Sequence, residues 1–130
     1  MGAGTNNVAG SGQNNAFSGY QAGFNNTNGH SNTFAGYQAG LNNSSGNGNT
    51  FLGASAGTHN NTGQNNIFVG NQAGFASESG GNSDIYIGSQ GSAESNTIRI
   101  GSVGTQTARL HRRLSQVSTT RQSTAMESRF

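Results

Sequence analysis

Four phenylalanines, Phe17, Phe34, Phe51 and Phe68, stand 17 residues apart, and each opens a near-copy of the same short text. Residues 31–48, SNTFAGYQAGLNNSSGNG, show that text in full. A Phe is followed two residues later by Gly, then by an Ala-Gly pair, an Asn pair and a polar, Gly-containing turn. A unit this short cannot enclose its own apolar side chains, so a fixed period of this kind marks a solenoid or a related stack of rungs.

Reading the copies in columns sharpens the expectation. The turn glycines are Gly19, Gly36, Gly53 and Gly70, continued by Gly88 and Gly101 in two further copies, DIYIG at 84–88 and TIRIG at 97–101. Those last two follow after 18 and then 13 residues, with Tyr86 and Arg99 in the Phe column. The Ala-Gly pairs fall at 22–23, 39–40, 56–57 and 73–74. Asn pairs fall at 25–26, 42–43 and 60–61, with Ala76-Ser77 in their place in the fourth copy. Residues 3–15 match 56–66, which predicts a partial rung at the start and an array cut from a longer one.

Ile-Phe-Val at 67–69, Ile-Tyr-Ile at 85–87 and Ile-Arg-Ile at 98–100 are β-branched or aromatic and stopped by Gly, so each copy predicts one short strand. Helix is disfavoured by several Gly and Asn per copy and the lack of a 3.6-residue period. Glycine after the strand and in the Asn-rich turn is expected to supply positive φ. Side chains alternate along a strand, so the Phe column points one way and its neighbours the other. The preceding column is Ala16, Thr33, Thr50, Ile67, Ile85, Ile98, and the following one Ser18, Ala35, Leu52, Val69, Ile87, Ile100. The repeat core is therefore assigned to Phe17, Phe34, Phe51, Phe68 and Tyr86 with Leu52, Ile67, Val69, Ile85, Ile87, Ile98 and Ile100. A single-layer roll hides only one face, so the second is expected to lie against identical chains. Backbone ladders and Asn-on-Asn hydrogen bonds must add to what one Phe per rung contributes.

Composition supports a thin, regular packing unit. Hydrophobic residues are 29% of the 130-residue chain and charged residues 8%, with 22 glycines and no proline, against about 45–50% apolar and 25% charged in ordinary domains. The same figures leave a low-complexity disordered chain as an alternative. Without cysteine there is no disulfide framework, thiolate site or Cys nucleophile. No apolar run is long enough for a helical membrane span, and neither a signal peptide nor a myristoylation pattern is visible. All six basic residues are arginines between Arg99 and Arg129, so the pI of 9.7 belongs to the tail and does not predict nucleic-acid binding.

The strand-turn words at 82–88 and 96–101, N-x-[apolar]-x-[apolar]-Gly with a small Ala-Gly segment in the longer copies, resemble the head repeats of trimeric autotransporter adhesins, the YadA-like class. The Phe-containing copies are similar to a variety found in large bacterial surface proteins and phage-tail-like proteins. The resemblance spans residues 3–107 and implies an all-β, left-handed parallel β-roll that trimerises on a bacterial outer membrane. The rungs here are longer than that family's usual turn, and Phe fills a column more often small.

Residues 1–107 are thus expected to be β-roll head repeats and 108–130 a basic tail, either disordered or opening a coiled-coil neck. Leu110, Leu114, Val117, Arg121 and Thr124 follow the 4-3-4-3 spacing of such a neck. A third reading is a frameshift or misplaced gene end near Ala108. In related sequences G-T-x-T-A, here residues 104–108, continues as Phe-Ile-Ala-Gly, which codons for RLHRR at 109–113 can encode one base later.

Chemistry is sparse. Glu78, Asp84, Glu94 and Glu127 are scattered among copies and predict no acid/base pair. His30 and His59 occupy different places in their copies and predict exposed turn residues rather than a metal ladder, and His111 lies in the tail. The GGNSD segment at 80–84 has the outline of a calcium nonapeptide but occurs once and lacks its glycine spacing. There is no phosphate loop. Asn25, Asn42, Asn43 and Asn60 match a glycosylation pattern that Asn- and Ser-rich repeats produce by chance. The Phe column serves as core or, facing outward, as a carbohydrate-binding stripe. An ice-binding threonine rank through Thr33 and Thr50, with Thr27 and Thr62 in turns, is interrupted by Ala16 and Ile67.

The expectation is a non-enzymatic, cofactor-free adhesive head segment, homo-oligomeric, at the bacterial cell surface. It would bind matrix protein, glycan, cells or other bacteria by many weak contacts, without touching nucleic acid or the membrane. The alternative is a structural repeat of a phage tail fibre or spike.

Overall fold

A computed structural model describes residues 12–77 and 80–101. The partial rung at 3–11, Glu78, and the whole tail with its neck and reading-frame alternatives lie outside the described residues. Each copy contributes one three-residue strand: β1 (Ala16–Ser18), β2 (Thr33–Ala35), β3 (Thr50–Leu52), β4 (Ile67–Val69), β5 (Ile85–Ile87) and β6 (Ile98–Ile100). They form one parallel sheet in sequence order. Phe17 aligns with Phe34, Phe34 with Phe51, Phe51 with Phe68, Phe68 with Tyr86, and Tyr86 with Arg99. The chain is a β-solenoid, because each turn of sequence returns the same column to the same place, one strand spacing on.

The central residue of each strand points inward. Phe34, Phe51, Phe68 and Tyr86 are buried, and Phe17 packs half-buried at the end of their row. Their rings stack nearly face to face, with centroids 4.7 to 4.9 Å apart and planes within 8°. That separation is the strand spacing itself: the backbone ladder dictates the ring-to-ring distance. Opposite each ring lie the Ala-Gly segments, with Ala22, Ala39, Ala56 and Ala73 fully buried. Only small residues fit there. A Cβ on Gly57, whose φ is +60°, would stand 2.7 Å from Cζ of Phe51.

Each rung also carries backbone hydrogen bonds outside the strands. Gly23, Gly40 and Gly57 donate to Ala39, Ala56 and Ala73 of the next rung, at 2.8 to 2.9 Å. Two interior ladders of asparagine run parallel to the aromatic row. In the first, the backbone N–H of Asn32, Asn49 and Asn66 donates to Oδ1 of Asn15, Asn32 and Asn49, each at 2.9 Å. Nδ2 of Asn32, Asn49 and Asn66 donates to the Gly46, Gly63 and Gly81 carbonyls at 2.7 to 2.8 Å. In the second, Nδ2 of Asn43 donates to Oδ1 of Asn26 at 2.8 Å, and Nδ2 of Asn60 to Oδ1 of Asn43 at 3.2 Å. Asn60 is the true continuation of Asn26 and Asn43; the Asn pair at 60–61 is offset by one position from the pairs before it.

Glycine after the strand adopts positive φ (+136° at Gly53), and so does Gly48 in the Asn-rich turn (+67°), whereas Gly29, Gly46 and Gly63 of those turns do not. They are glycine because a Cβ would collide with the asparagine ladder and the next rung's backbone. Of the residues assigned to the repeat core, Leu52, Ile67, Ile87, Ile98 and Ile100 are exposed on the single chain, and Val69 and Ile85 are half-buried. Strand alternation turns them away from the aromatic row.

Candidate binding surfaces

One candidate surface is the outer face of the six-stranded sheet. Its two columns are the first and third residues of each strand, and they carry no charged side chain. Toward β1 the face is small and polar (Ala16, Ser18, Thr33), and toward β6 it is aliphatic. Leu52 is 52% exposed, Ile98 66% and Ile100 60%. The inward aromatic row fixes which residues point out.

A second surface was not singled out from the sequence. Tyr20 and Tyr37 occupy the same place in successive rungs, half exposed, with rings stacked at 5.6 Å. Beside them Nε2 of Gln38 donates to Oε1 of Gln21 at 2.9 Å. The Tyr-Gln dipeptide recurring at 20–21 and 37–38 was the available signal. The inward Phe column excludes the outward carbohydrate stripe considered for it, since its rings are enclosed.

The charged groups converge at the last turn. The 13-residue step between Tyr86 and Arg99 brings Asp84, Tyr86, Glu94 and Arg99 together, against the expectation that the acids are scattered. Arg99 pairs with Glu94 through Nε to Oε1 and through Nη2 to Oε2 at 2.9 Å. Tyr86 Oη also donates to Glu94 Oε1, at 3.0 Å. The Arg99 hydrogen bond holds the Glu94 carboxyl below its usual range, while burial and the Glu94 bond push the Tyr86 phenol well up. Burial raises the Asp84 carboxyl. With Glu94 engaged by two partners and Asp84 enclosed, the cluster closes the end of the aromatic row rather than presenting an acid and a base to a substrate.

His59 departs from the exposed turn residue expected: it is half-buried, its ring edge-on to Phe75 at 4.5 Å and its Nδ1 2.9 Å from the Phe75 carbonyl oxygen. His30 is exposed, and its Nδ1 accepts the backbone N–H of Gln13 at 3.1 Å. Among the described residues no group of three or more His, Asp or Glu side chains could hold a metal ion, and no helix is long and apolar enough to cross a membrane. No family model, curated protein or solved structure matches the chain.

Proposed function

We propose that this chain is a non-catalytic head segment of a bacterial surface adhesin, assembling with copies of itself, three by the resemblance stated above, into a rod that binds multivalently. One observation carries the reading: an uncharged outer sheet face, aliphatic over its last three strands, on a rung stack whose own core is already filled. Burying a half-exposed Leu or Ile of that face contributes about 1 kcal/mol. An identical chain meets it with matching columns and no charge to repel.

The area sets the strength. Six strands about 4.8 Å apart and three residues long cover roughly 250 Å² of footprint, well under the ~800 Å² per partner of a standard stable interface. Association through this face alone is therefore weak at this array length and tightens as rungs are added. Sedimentation across a concentration series tests it: self-association should appear at high concentration and vanish in Ile98→Asp and Ile100→Asp, with the solenoid's circular dichroism unchanged. A chain that stays monomeric at millimolar concentration refutes the shared-face reading. Beads coated with the chain at high density, offered to matrix proteins, glycans and bacterial cells, test adhesion; no retention beyond bare beads refutes that part.

A further inference from the structure

Asp84 occupies the fifth place in the first asparagine ladder, after Asn15, Asn32, Asn49 and Asn66. Its backbone N–H donates to Oδ1 of Asn66 at 2.9 Å, and its own Oδ1 accepts the Thr97 N–H at 2.9 Å, as an asparagine there would. The difference lies at the second side-chain atom. In the preceding rung a Cβ on Gly63 would meet the Gly81 carbonyl oxygen, Asn60 Oδ1 and, at 2.8 Å, Asn66 Nδ2. One rung later, a Cβ on Gly81 would meet the Glu94 carbonyl oxygen, Ser77 Oγ at 3.3 Å and Asp84 Oδ2 at 2.6 Å. The place is the same, but the amide nitrogen that donates to the neighbouring carbonyl has become an oxygen. Asp84 Oδ2 and Ser77 Oγ are the two buried side-chain atoms left without a hydrogen-bond partner among the described residues. Asp84 and Ser77 are themselves fully buried.

Asp84 Oδ2 and the Glu94 carbonyl oxygen face the same dry place with no donor between them, and Arg99, the cation of this cluster, is already paired with Glu94. We infer that Asp84 carries a proton in the folded chain, donated from Oδ2 to the Glu94 carbonyl, and that this proton fastens the last turn of the solenoid to the turn before it. Protonated, Asp84 reproduces the donor and acceptor of the asparagines above it. Ionised, it leaves the Glu94 carbonyl without a donor and loosens residues 88–101.

The groups facing Asp84 agree. Tyr86 stands two residues further on, in β5, and Glu94 and Arg99 come from the following turn. The preceding rung presents neutral Asn66 and Ser77, and Glu78 lies outside the described residues. Burial is the largest influence and raises the carboxyl, with Glu94 adding to it; the Thr97 N–H, Tyr86 and Arg99 oppose. A carboxyl raised on folding stabilises fully below its unfolded value, and that stabilisation is lost as pH rises through the folded value. Between the two values each pH unit changes the ratio of docked to loosened turn about tenfold.

The test uses the full chain. The Asp84 carboxyl carbon, followed by NMR against pH, should titrate above the ordinary value of 3.8, and Thr97 amide protection, corrected for intrinsic exchange, should fall over the same range. Asp84→Asn supplies the donor permanently, so its last turn should stay protected and its melting temperature at pH 8 should exceed that of the native chain. Asp84 titrating at or below its ordinary value, or Asp84→Asn gaining nothing at pH 8, overturns the inference. So does millimolar calcium or sodium chloride stabilising the native chain but not Asp84→Asn, which would place a cation where the proton is assigned.

Discussion

Phe51→Ala removes the central ring of the aromatic row, and its effect follows from the geometry. Phe51 is fully enclosed, with Phe34 at 4.7 Å on one side and Phe68 at 4.8 Å on the other. Truncating a buried Phe costs about 3–5 kcal/mol, cavity included. Each stacking contact accounts for about 0.5–1.5 kcal/mol beyond area burial. The hydrogen-bonded ladders on both sides hold Phe34 and Phe68 at fixed rung positions, so neither ring can slide in to fill the gap, and the loss should lie at the upper end. Phe17→Ala is the control, because Phe17 is half-buried and stacks on one ring among the described residues. Its loss should be about half as large. Urea unfolding followed by circular dichroism at 218 nm, on both variants and the native chain, measures the two differences. Equal losses, or a Phe51→Ala loss under about 1 kcal/mol, would refute the view that the stacked row is the core.

Gly57→Ala should cost about 2–4 kcal/mol, combining positive φ with collision against the Phe51 ring. Gly88→Ala, also at φ +60° but with open space around it, should cost only the backbone strain of about 1–2 kcal/mol; equal losses in thermal melts would remove the close-approach argument. Asn49→Asp keeps the shape of an interior ladder residue but removes its bond to the Gly63 carbonyl. It should destabilise by about 1–3 kcal/mol at pH 7 and recover on acidification; a pH-independent loss would count against the ladder's role. Glu94 is held below its ordinary 4.5 by Arg99, so its contribution is present above that value and fades as pH falls through the lowered one. Glu94→Gln should flatten that acid limb by at most about 1 kcal/mol, since the pair is partly exposed, as pH-dependent melting would show.

The rung length, the strand positions and the alignment of Phe on Phe were legible because each rests on a column that repeats; which way that column faces is not written in the repeat. Other features were not, for physical reasons. Asn-on-Asn bonds were expected, but that Asn15, Asn32, Asn49 and Asn66 are the residues whose amides bridge rungs depends on a register no single copy contains. Gln21, Gln38 and Gln72 adopt φ near +55°, a conformation glutamine seldom signals, held here by a backbone bond such as that from Gln38 N–H to the Tyr20 carbonyl. The convergence of Asp84, Glu94 and Arg99 was hidden by the shortened last step, which a constant period places wrongly. Tyr20 and Tyr37 form a column of only two, continued by Ala54 and Asn71, too short to stand out as a repeat.

The sameness of the middle rungs has a consequence for how the chain finds its alignment. Sliding one segment past another by a full 17 residues returns Phe onto Phe, Asn onto Asn and Ala onto Ala, so the interior of the stack is translationally degenerate. A misaligned pairing there would satisfy almost every contact. The last turns are different: an 18-residue step, a 13-residue step, a phenol that needs a carboxylate, and an arginine in place of a ring. They act as a phase marker, the place where a shifted alignment becomes detectable as an unpaired charge. Chains stripped of that marker should misalign and swap rungs more readily than chains shortened at the other end.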